Sequence, residues 1–452
     1  MKTNDIIELS IEDVTREGMG IGHFEGIAVF VEDAAPGDTV KCKITKFKKS
    51  YAIGKIIKII KPSKSRISSI CKAFPQCGGC SFFHIDYQTE LKIKEKWVKD
   101  ALQRIAKLDI DVLPIIGSPK IHNYRNKSQF PVGLNKDGKT VIGFYERKSH
   151  DIVAIDSCLI SSTAANEAVK TIKQFIDKNN ISVYDEAKKR GLIRNIYVRS
   201  LESANQTLIT IVINGDSLPH FQQLIEMLKE NVSGFCGFIL NINKSDTNLV
   251  LGQKYITLFG EDKITEELLG VNFSVSPQSF YQINSIQAKR MYEIVRDFAD
   301  LNRNETVLDL YCGIGTMTLI LAKEAKEAIG IEIAPQAIED AKKCAKENKI
   351  ENAEFICADA NKAVELLKEM NAKPDTIIVD PPRKGLDTET IDSIIKLAPK
   401  KLIYVSCDPA TLARDLKILS ENSFNVIKCQ PLDMFPRTAH VESVCLLTRK
   451  EG

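Results

Sequence analysis

At 452 residues the chain is long enough for two to four domains, each with its own buried core. Its content of 44% hydrophobic and 27% charged residues is that of a globular protein, and no apolar run approaches the ~20 residues a spanning helix needs, so no membrane insertion is expected. The net charge of +3 conceals a local excess: from Lys41 to Lys72 there are eleven Lys or Arg and no Asp or Glu, a run that attracts phosphate rather than merely solvating a strand face.

Residues 5–60 alternate short β-type runs (IIELSIEDV, GIAVFVE, TVKCKITKF, YAIGKIIKII) with turns at Gly18, Gly20, Gly26 and Pro36-Gly37. This predicts a small OB-like β-barrel over residues 1–60, a shape that binds oligonucleotides through an exposed face. MKTNDIIELS has no apolar signal core, so the protein is expected in a reducing cytoplasm, where its twelve cysteines need an explanation other than disulfides.

The segment 61–110 opens with CKAFPQCGGC, which spaces Cys71, Cys77 and Cys80 as C-x5-C-x2-C around Gly78 and Gly79. Cys158, in AIDSCLI, is available as a fourth thiol. Thiols this close imply a metal; zinc and an iron–sulfur cluster both suit a histidine-free set, and spacing does not choose between them. His84 is expected as an ordinary surface histidine. A helix follows from Tyr87 to Ala106, with Trp97 as a core residue. Residues 111–272 are expected as a mixed, strand-rich central RNA-binding domain, with candidate strands at KTVIGFY, NIYVRS, QTLITIVI and YITLFG and a helix near 162–178.

From 273 to 452 the fold class becomes α/β. Strands at 306–311, 328–333, 354–357, 376–380 and 402–406 alternate with helices at 317–327, 335–348, 360–370, 387–397 and 410–421, the order of a parallel doubly wound sheet. FNVIKCQPL and ESVCLLTRK, joined by a short connection, are expected as an antiparallel edge. Five parallel strands with such a hairpin resemble the Rossmann-like S-adenosylmethionine-dependent methyltransferase fold.

The turn after the first of these strands, VLDLYCGIGTMTL, lets backbone approach a ligand through Gly313 and Gly315. Thr318 stands where a dinucleotide fingerprint wants glycine, and Glu332 ends the next strand, where an acid accepts from ribose hydroxyls. The pair fits adenosine, and Asp359 after the third strand can accept from an adenine amine. Cys407 ends the apolar run KLIYVSC before Asp408-Pro409, which places a thiol at the mouth of a cleft with a helix beginning behind it.

These segments resemble one family, the RNA (uracil-5-)-methyltransferases, and within it the branch acting on 23S ribosomal RNA. SPQSFYQIN, LDLYCGIGT, GIE, VDPPRKG, YVSCDPATLARD and HVESVCLLTR follow in family order. The barrel resembles a TRAM domain, and CKAFPQCGGC with Cys158 resembles the family's [4Fe-4S] site, with Cys71, Cys77, Cys80 and Cys158 as ligands. The resemblance implies that Gln282, Tyr311, Glu332 and Asp380 contact S-adenosylmethionine, that Cys407 is the nucleophile, and that Glu442 is the base. Carbon 5 of uracil is too weakly nucleophilic to take a methyl group until a thiolate adds at carbon 6, and its proton must then be removed.

Arg383 is a candidate stabiliser of the thiolate, and Phe280, Tyr281 and Phe435 are candidate stacking platforms for a flipped-out base. Thr316, where the tRNA-modifying branch has Asn, argues for ribosomal RNA over tRNA. The barrel and the cysteine cluster, expected to be absent from that branch, argue the same way. Competing readings are an RNA cytosine-5 methyltransferase, a radical S-adenosylmethionine enzyme, which would want C-x3-C-x2-C, and an RNA-binding assembly factor with a vestigial site. Nothing in the sequence calls for an obligate protein partner.

Overall fold

Apolar and polar residues alternate in IIELS and TVKCKITKF, so Ile7, Leu9, Val40, Cys42 and Ile44 turn to one side and Lys41 and Lys43 to the other. In the computed structural model, which describes residues 1–246 and 249–450, these strands belong to a six-stranded sheet. Its spatial order is Ile6–Ser10, Thr39–Phe47, Tyr51–Lys61, Ile27–Val31, Gly20–Phe24 and Asp13–Val14, and it encloses its own core with Val29, Val31 and Ala52. Lys41, Lys43, Lys46, Lys55 and Lys58 lie on the exposed side. The barrel docks through Val14 and Ala35 against Phe82, Ile85, Ile93 and Trp97, and the Trp97 indole N–H donates to the Val14 carbonyl at 2.9 Å. Trp97 is thus a core residue. So is His84, against expectation: it is buried and stacks on Phe74 with ring centroids 5.5 Å apart, and burial pushes its pKa down to about 4.

The middle of the chain forms a seven-stranded sheet ordered Ile152–Ala154, Thr140–Tyr145, Lys127–Leu134, Ile193–Leu201, Gln206–Ile213, Phe235–Ile242 and Lys254–Gly260. Helices Thr163–Asn179 and Phe221–Asn231 cover one face through Ala168, Ile172, Phe175, Leu224 and Leu228. The opposite face packs partly on the C-terminal region, where Leu201, Leu208 and Ile239 join its core. A separate hairpin, Ile264–Leu268 with Val271–Val275, leads into the last unit, and the expected boundary at 272 falls inside its second strand.

The C-terminal sheet has eight strands in the order Ala353–Cys357, Glu327–Glu332, Thr306–Leu310, Thr376–Val379, Lys401–Ser406, Glu442–Arg449, Phe424–Leu432 and Asp111–Val112. The five strands read as parallel are parallel, and the closing hairpin is antiparallel. Three details differ from expectation. The helix after the first strand is short, Thr316–Ala322, and buried along its whole length, because it packs on Thr306–Leu310 and Glu327–Glu332 and is flanked by the helix Ser285–Ala299 and the hairpin strand Val271–Val275. Asp111–Val112, expected at the start of the central domain, instead add a strand to the edge of the C-terminal sheet. The connection between the last two strands, Asp433 to Val441, is not a short turn but a packed loop.

A buried ion network fixes that loop. Lys94 is fully buried, and its ammonium donates at 2.7 Å to both Glu90 and Asp433 and at 3.2 Å to the Phe435 carbonyl. Glu90 in turn accepts from the Arg437 backbone N–H at 2.7 Å, Tyr87 donates to Asp433 at 2.8 Å, and Tyr124 donates to the Pro436 carbonyl at 3.0 Å. Removing one member would strand an unpaired charge at a cost of about 3–5 kcal/mol, so the loop has one well-defined conformation. No helix among the described residues is long and apolar enough to cross a membrane.

Candidate active site

In a doubly wound sheet the carboxyl ends of the strands open onto a crevice. Here it is a cleft of about 670 Å³, and Gln282, Tyr311, Glu332, Asp359, Asp380, Cys407 and Glu442 all line it. One end is built by the turn at 311–315, whose backbone is left-handed at Tyr311 (φ 67°), Gly313 (φ 56°) and Gly315 (φ 77°). A side chain at Gly315 would put its Cβ 2.6 Å from the Phe355 ring, whereas Gly313 faces open space in the cleft. Tyr311 holds a conformation that non-glycine residues seldom adopt, and such outliers cluster at ligand sites. Glu332 accepts from the N–H of Gly313 at 3.2 Å and of Ala334 at 2.9 Å, which ties the acid to the turn. Asp359 accepts from the Asn361 N–H at 3.2 Å.

The other end gathers three groups that are far apart in sequence. Asp380 follows the strand Thr376–Val379, and Cys407 follows the adjacent parallel strand Lys401–Ser406. Glu442 begins the antiparallel strand whose Ser443 pairs with Ser406, so the exit of one strand and the entry of the next bring Cys407 and Glu442 side by side. Glu442 is 3% exposed. Burial, then the charge of Asp380, pushes its pKa well up, and burial raises Asp380 to about 7. Burial likewise raises Cys407 to about 11; Glu442 and Asp380 push the same way, and Arg383 opposes them. The cleft therefore concentrates acid around a thiol held toward its protonated form, an arrangement that a cationic ligand would relax. Arg383 lies 3.3 Å from the His440 ring nitrogen Nε2, and burial, with help from Arg383, lowers His440 to about 4 and keeps it neutral.

The pKa of Asp380 is raised on folding, so its contribution to stability is fully present below its unfolded value of 3.8 and disappears as pH rises through about 7. The thermal midpoint of the ligand-free protein is accordingly expected to fall between about pH 4 and pH 7 and to level off above, and Asp380→Asn to flatten that fall. Melting curves of both proteins across this range check it; parallel slopes would refute it.

Loops around the cleft are braced from behind. Asp415, fully buried, accepts from Tyr404 at 2.6 Å, from the Leu386 N–H at 2.8 Å and from Arg414 at 2.7 Å, fixing the PPRKG loop that carries Arg383. Of the three aromatic candidates, Phe280 lines the cleft and is 68% exposed, and Phe435 lines it edge-on to His440. Tyr281 does not reach it: at 3% exposure it packs in the core beneath, so it is no stacking platform. Alternate residues of the SFYQIN segment point opposite ways, which composition alone does not reveal. Sequence reasoning also passed over the ion network of Glu90, Lys94 and Asp433, whose only linear trace is two charges in an otherwise core-facing helix stripe.

Cys71, Cys77, Cys80 and Cys158 come from two segments and line one small cavity with Phe74, Phe83 and Ile160, and all four are free thiols. Yet among the described residues no group of three or more His, Cys, Asp or Glu is arranged to hold a metal ion. A metal site there is therefore not shown. The thiols surround a space instead of converging on a point, and close spacing in sequence does not dictate that they converge.

A family model described as tRNA (Uracil-5-)-methyltransferase matches residues 86–450, and one for the TRAM domain matches residues 2–57. The chain belongs to the RNA (uracil-5-)-methyltransferase family. It is thus an S-adenosylmethionine-dependent RNA methyltransferase with an N-terminal TRAM domain. It is 42% identical over 452 residues to an uncharacterized RNA methyltransferase of Clostridium acetobutylicum, covering 99% of this chain and 98% of the relative. An uncharacterized RNA methyltransferase of Clostridium tetani is 41% identical over 448 residues, covering 99% and 97%. Among solved structures, Pyrococcus abyssi tRNA (uracil-54, C5)-methyltransferase in complex with S-adenosyl-L-homocysteine superposes with a TM-score of 0.79 at 29% identity, covering 98% of this chain and all of that one. This corrects one expectation. A tRNA-acting member spans the barrel as well, so the barrel does not separate this methyltransferase from tRNA substrates.

Proposed function

We propose that this methyltransferase transfers a methyl group to carbon 5 of an unpaired or flipped-out uridine in 23S ribosomal RNA, with Cys407 as nucleophile and Glu442 as base. The observation that carries the mechanism is the meeting of Cys407, Glu442 and Asp380 at one end of a cleft whose other end has an adenosine-type turn. When bound, S-adenosylmethionine supplies an electrophilic methyl on a sulfonium. Gln282, Tyr311, Glu332, Asp359 and Asp380 are the residues proposed to hold it, and the acid excess around Asp380 suits a cationic ligand. Cys407, as thiolate, adds to uracil carbon 6 and makes carbon 5 nucleophilic. After methylation Glu442 takes the carbon 5 proton, the double bond re-forms, and the bond from carbon 6 to sulfur breaks to free Cys407. Phe280, exposed at the rim, is placed to stack on a base, and the unpaired lysines of the barrel to meet phosphates.

The ribosomal substrate rests on the sequence resemblance and on Thr316. A second reading, transfer to a tRNA uridine, is favoured by the likeness to the Pyrococcus abyssi enzyme over the whole chain. Incubation with methyl-labelled S-adenosylmethionine and unmodified 23S transcript or tRNA, followed by nucleoside mass spectrometry, decides between them. Label in 5-methyluridine from the 23S transcript supports the proposal; label confined to tRNA, or in 5-methylcytidine, overturns the substrate or the base.

The cysteine cavity is proposed to hold a [4Fe-4S] cluster, since thiols spaced around an apolar hollow suit a polynuclear group better than one zinc ion. Cys71, Cys77, Cys80 and Cys158 would be its ligands. Anaerobically purified protein is expected to contain about four iron and four sulfide per chain. Finding zinc, or neither, would refute this.

A further inference from the structure

Arg16 lies on the turn between the barrel strands Asp13–Val14 and Gly20–Phe24, yet its guanidinium pairs with Asp408, the residue that follows Cys407. Both oxygens of that carboxylate are engaged. Oδ2 accepts from Arg16, and Oδ1 caps the helix Pro409–Asn422 by accepting from the N–H of Ala410 at 2.9 Å and of Thr411 at 3.0 Å. The Asp408 N–H donates to Ser406 Oγ at 3.1 Å, so the backbone on both sides of the thiol is held.

The charge balance explains why an arginine belongs here. Cys407 is faced by Glu442 from the last strand, by Asp380 and Arg383 from the loop 380–385, and by Asp408 from its own helix cap. His440, from the connecting loop, is neutral. Three carboxyl groups thus oppose ionisation of the thiol and one local cation favours it. Arg16 supplies the second cation, and it comes from the RNA-binding module instead of the catalytic one.

We propose that Arg16 is a positioning residue for the nucleophile: by pairing with Asp408 it neutralises the carboxylate nearest the thiol in sequence and steadies the helix cap, so that the docked barrel completes the environment of Cys407. This rests on Cys407 being the nucleophile proposed above. It gives the barrel a part in the chemistry beyond holding RNA.

The test is the pH dependence of Cys407 alkylation by iodoacetamide in the full-length protein, read on the Cys407 peptide by mass spectrometry, without RNA. Arg16→Met is expected to slow alkylation about three- to tenfold near pH 8, with the same plateau at high pH, the signature of a raised thiol pKa. Arg16→Lys is expected to restore most of the rate. In an Asp408→Asn background, where the cap is kept but the charge is gone, Arg16→Met is expected to change nothing. The barrel stays docked in these variants through Trp97, Val14 and Phe82, which melting curves verify. A profile that superposes on the wild type, or a slowing that persists in the Asp408→Asn background, overturns the proposal. The reading of Cys407 as nucleophile fails separately, if Cys407→Ser still transfers methyl groups, because alkylation does not depend on turnover.

Discussion

Cys407→Ser is expected to lower methyl transfer by on the order of 10⁴-fold or more while leaving binding of S-adenosylmethionine intact. A serine hydroxyl is nearly isosteric, so the cleft keeps its shape. Its oxygen is a far weaker nucleophile than a thiolate at neutral pH, because an alcohol, unlike a thiol, does not ionise there to any useful extent. Without addition at carbon 6, carbon 5 has no nucleophilic character to offer. Single-turnover transfer of labelled methyl to RNA, with cofactor affinity measured by calorimetry, checks both halves. Residual transfer within tenfold of the wild type would show that the reaction does not pass through this thiol.

Glu442→Gln is expected to stop the reaction later. Addition and methylation proceed, but the carbon 5 proton stays in place, so the methylated uridine remains bonded to Cys407. Turnover falls about 10²–10⁴-fold, the usual worth of a positioned base, and a protein–RNA adduct stable to denaturing electrophoresis accumulates. The electrostatics add a sign. Glu442 opposes ionisation of Cys407, so the neutral amide makes the thiol more acidic and adduct formation no slower than in the wild type. Intact mass analysis distinguishes a methylated adduct from an unmethylated one. Slow turnover without any adduct would assign the base to another group and leave Glu442 a structural role.

Much of this site is legible in the linear sequence because each part depends on local chemistry. A glycine turn after a strand, an acid ending the next strand and a cysteine after the fifth need only strand–helix alternation to fall along one sheet edge. Glu442 is different. Its position beside Cys407 depends on the register of an antiparallel strand, Ser443 opposite Ser406, and a slip of one residue would turn it to the other face. The motif order suggested the pairing, but only the sheet fixes it. Which of Phe280 and Tyr281 faces the cleft was open for a related reason: side chains of one short segment point alternately into core and cleft.

The sequence by itself determined a small β-barrel with an excess of lysine, the parallel α/β sheet and the positions of the glycine turn, Glu332 and Cys407, since periodicity and turn chemistry are local properties, whereas Gln282, Tyr311, Asp380 and Glu442 were legible only through the family resemblance. Tertiary structure alone decided what depends on long-range contact: the burial of His84, the loop held by Lys94 and Asp433, the cavity enclosed by four cysteines, and the reach of Arg16 from the barrel to Asp408. Charges separated by hundreds of positions leave no period to read. Their pairing is set when whole domains dock, and for the fully buried Lys94 and Asp433 the low dielectric around them is what makes it consequential.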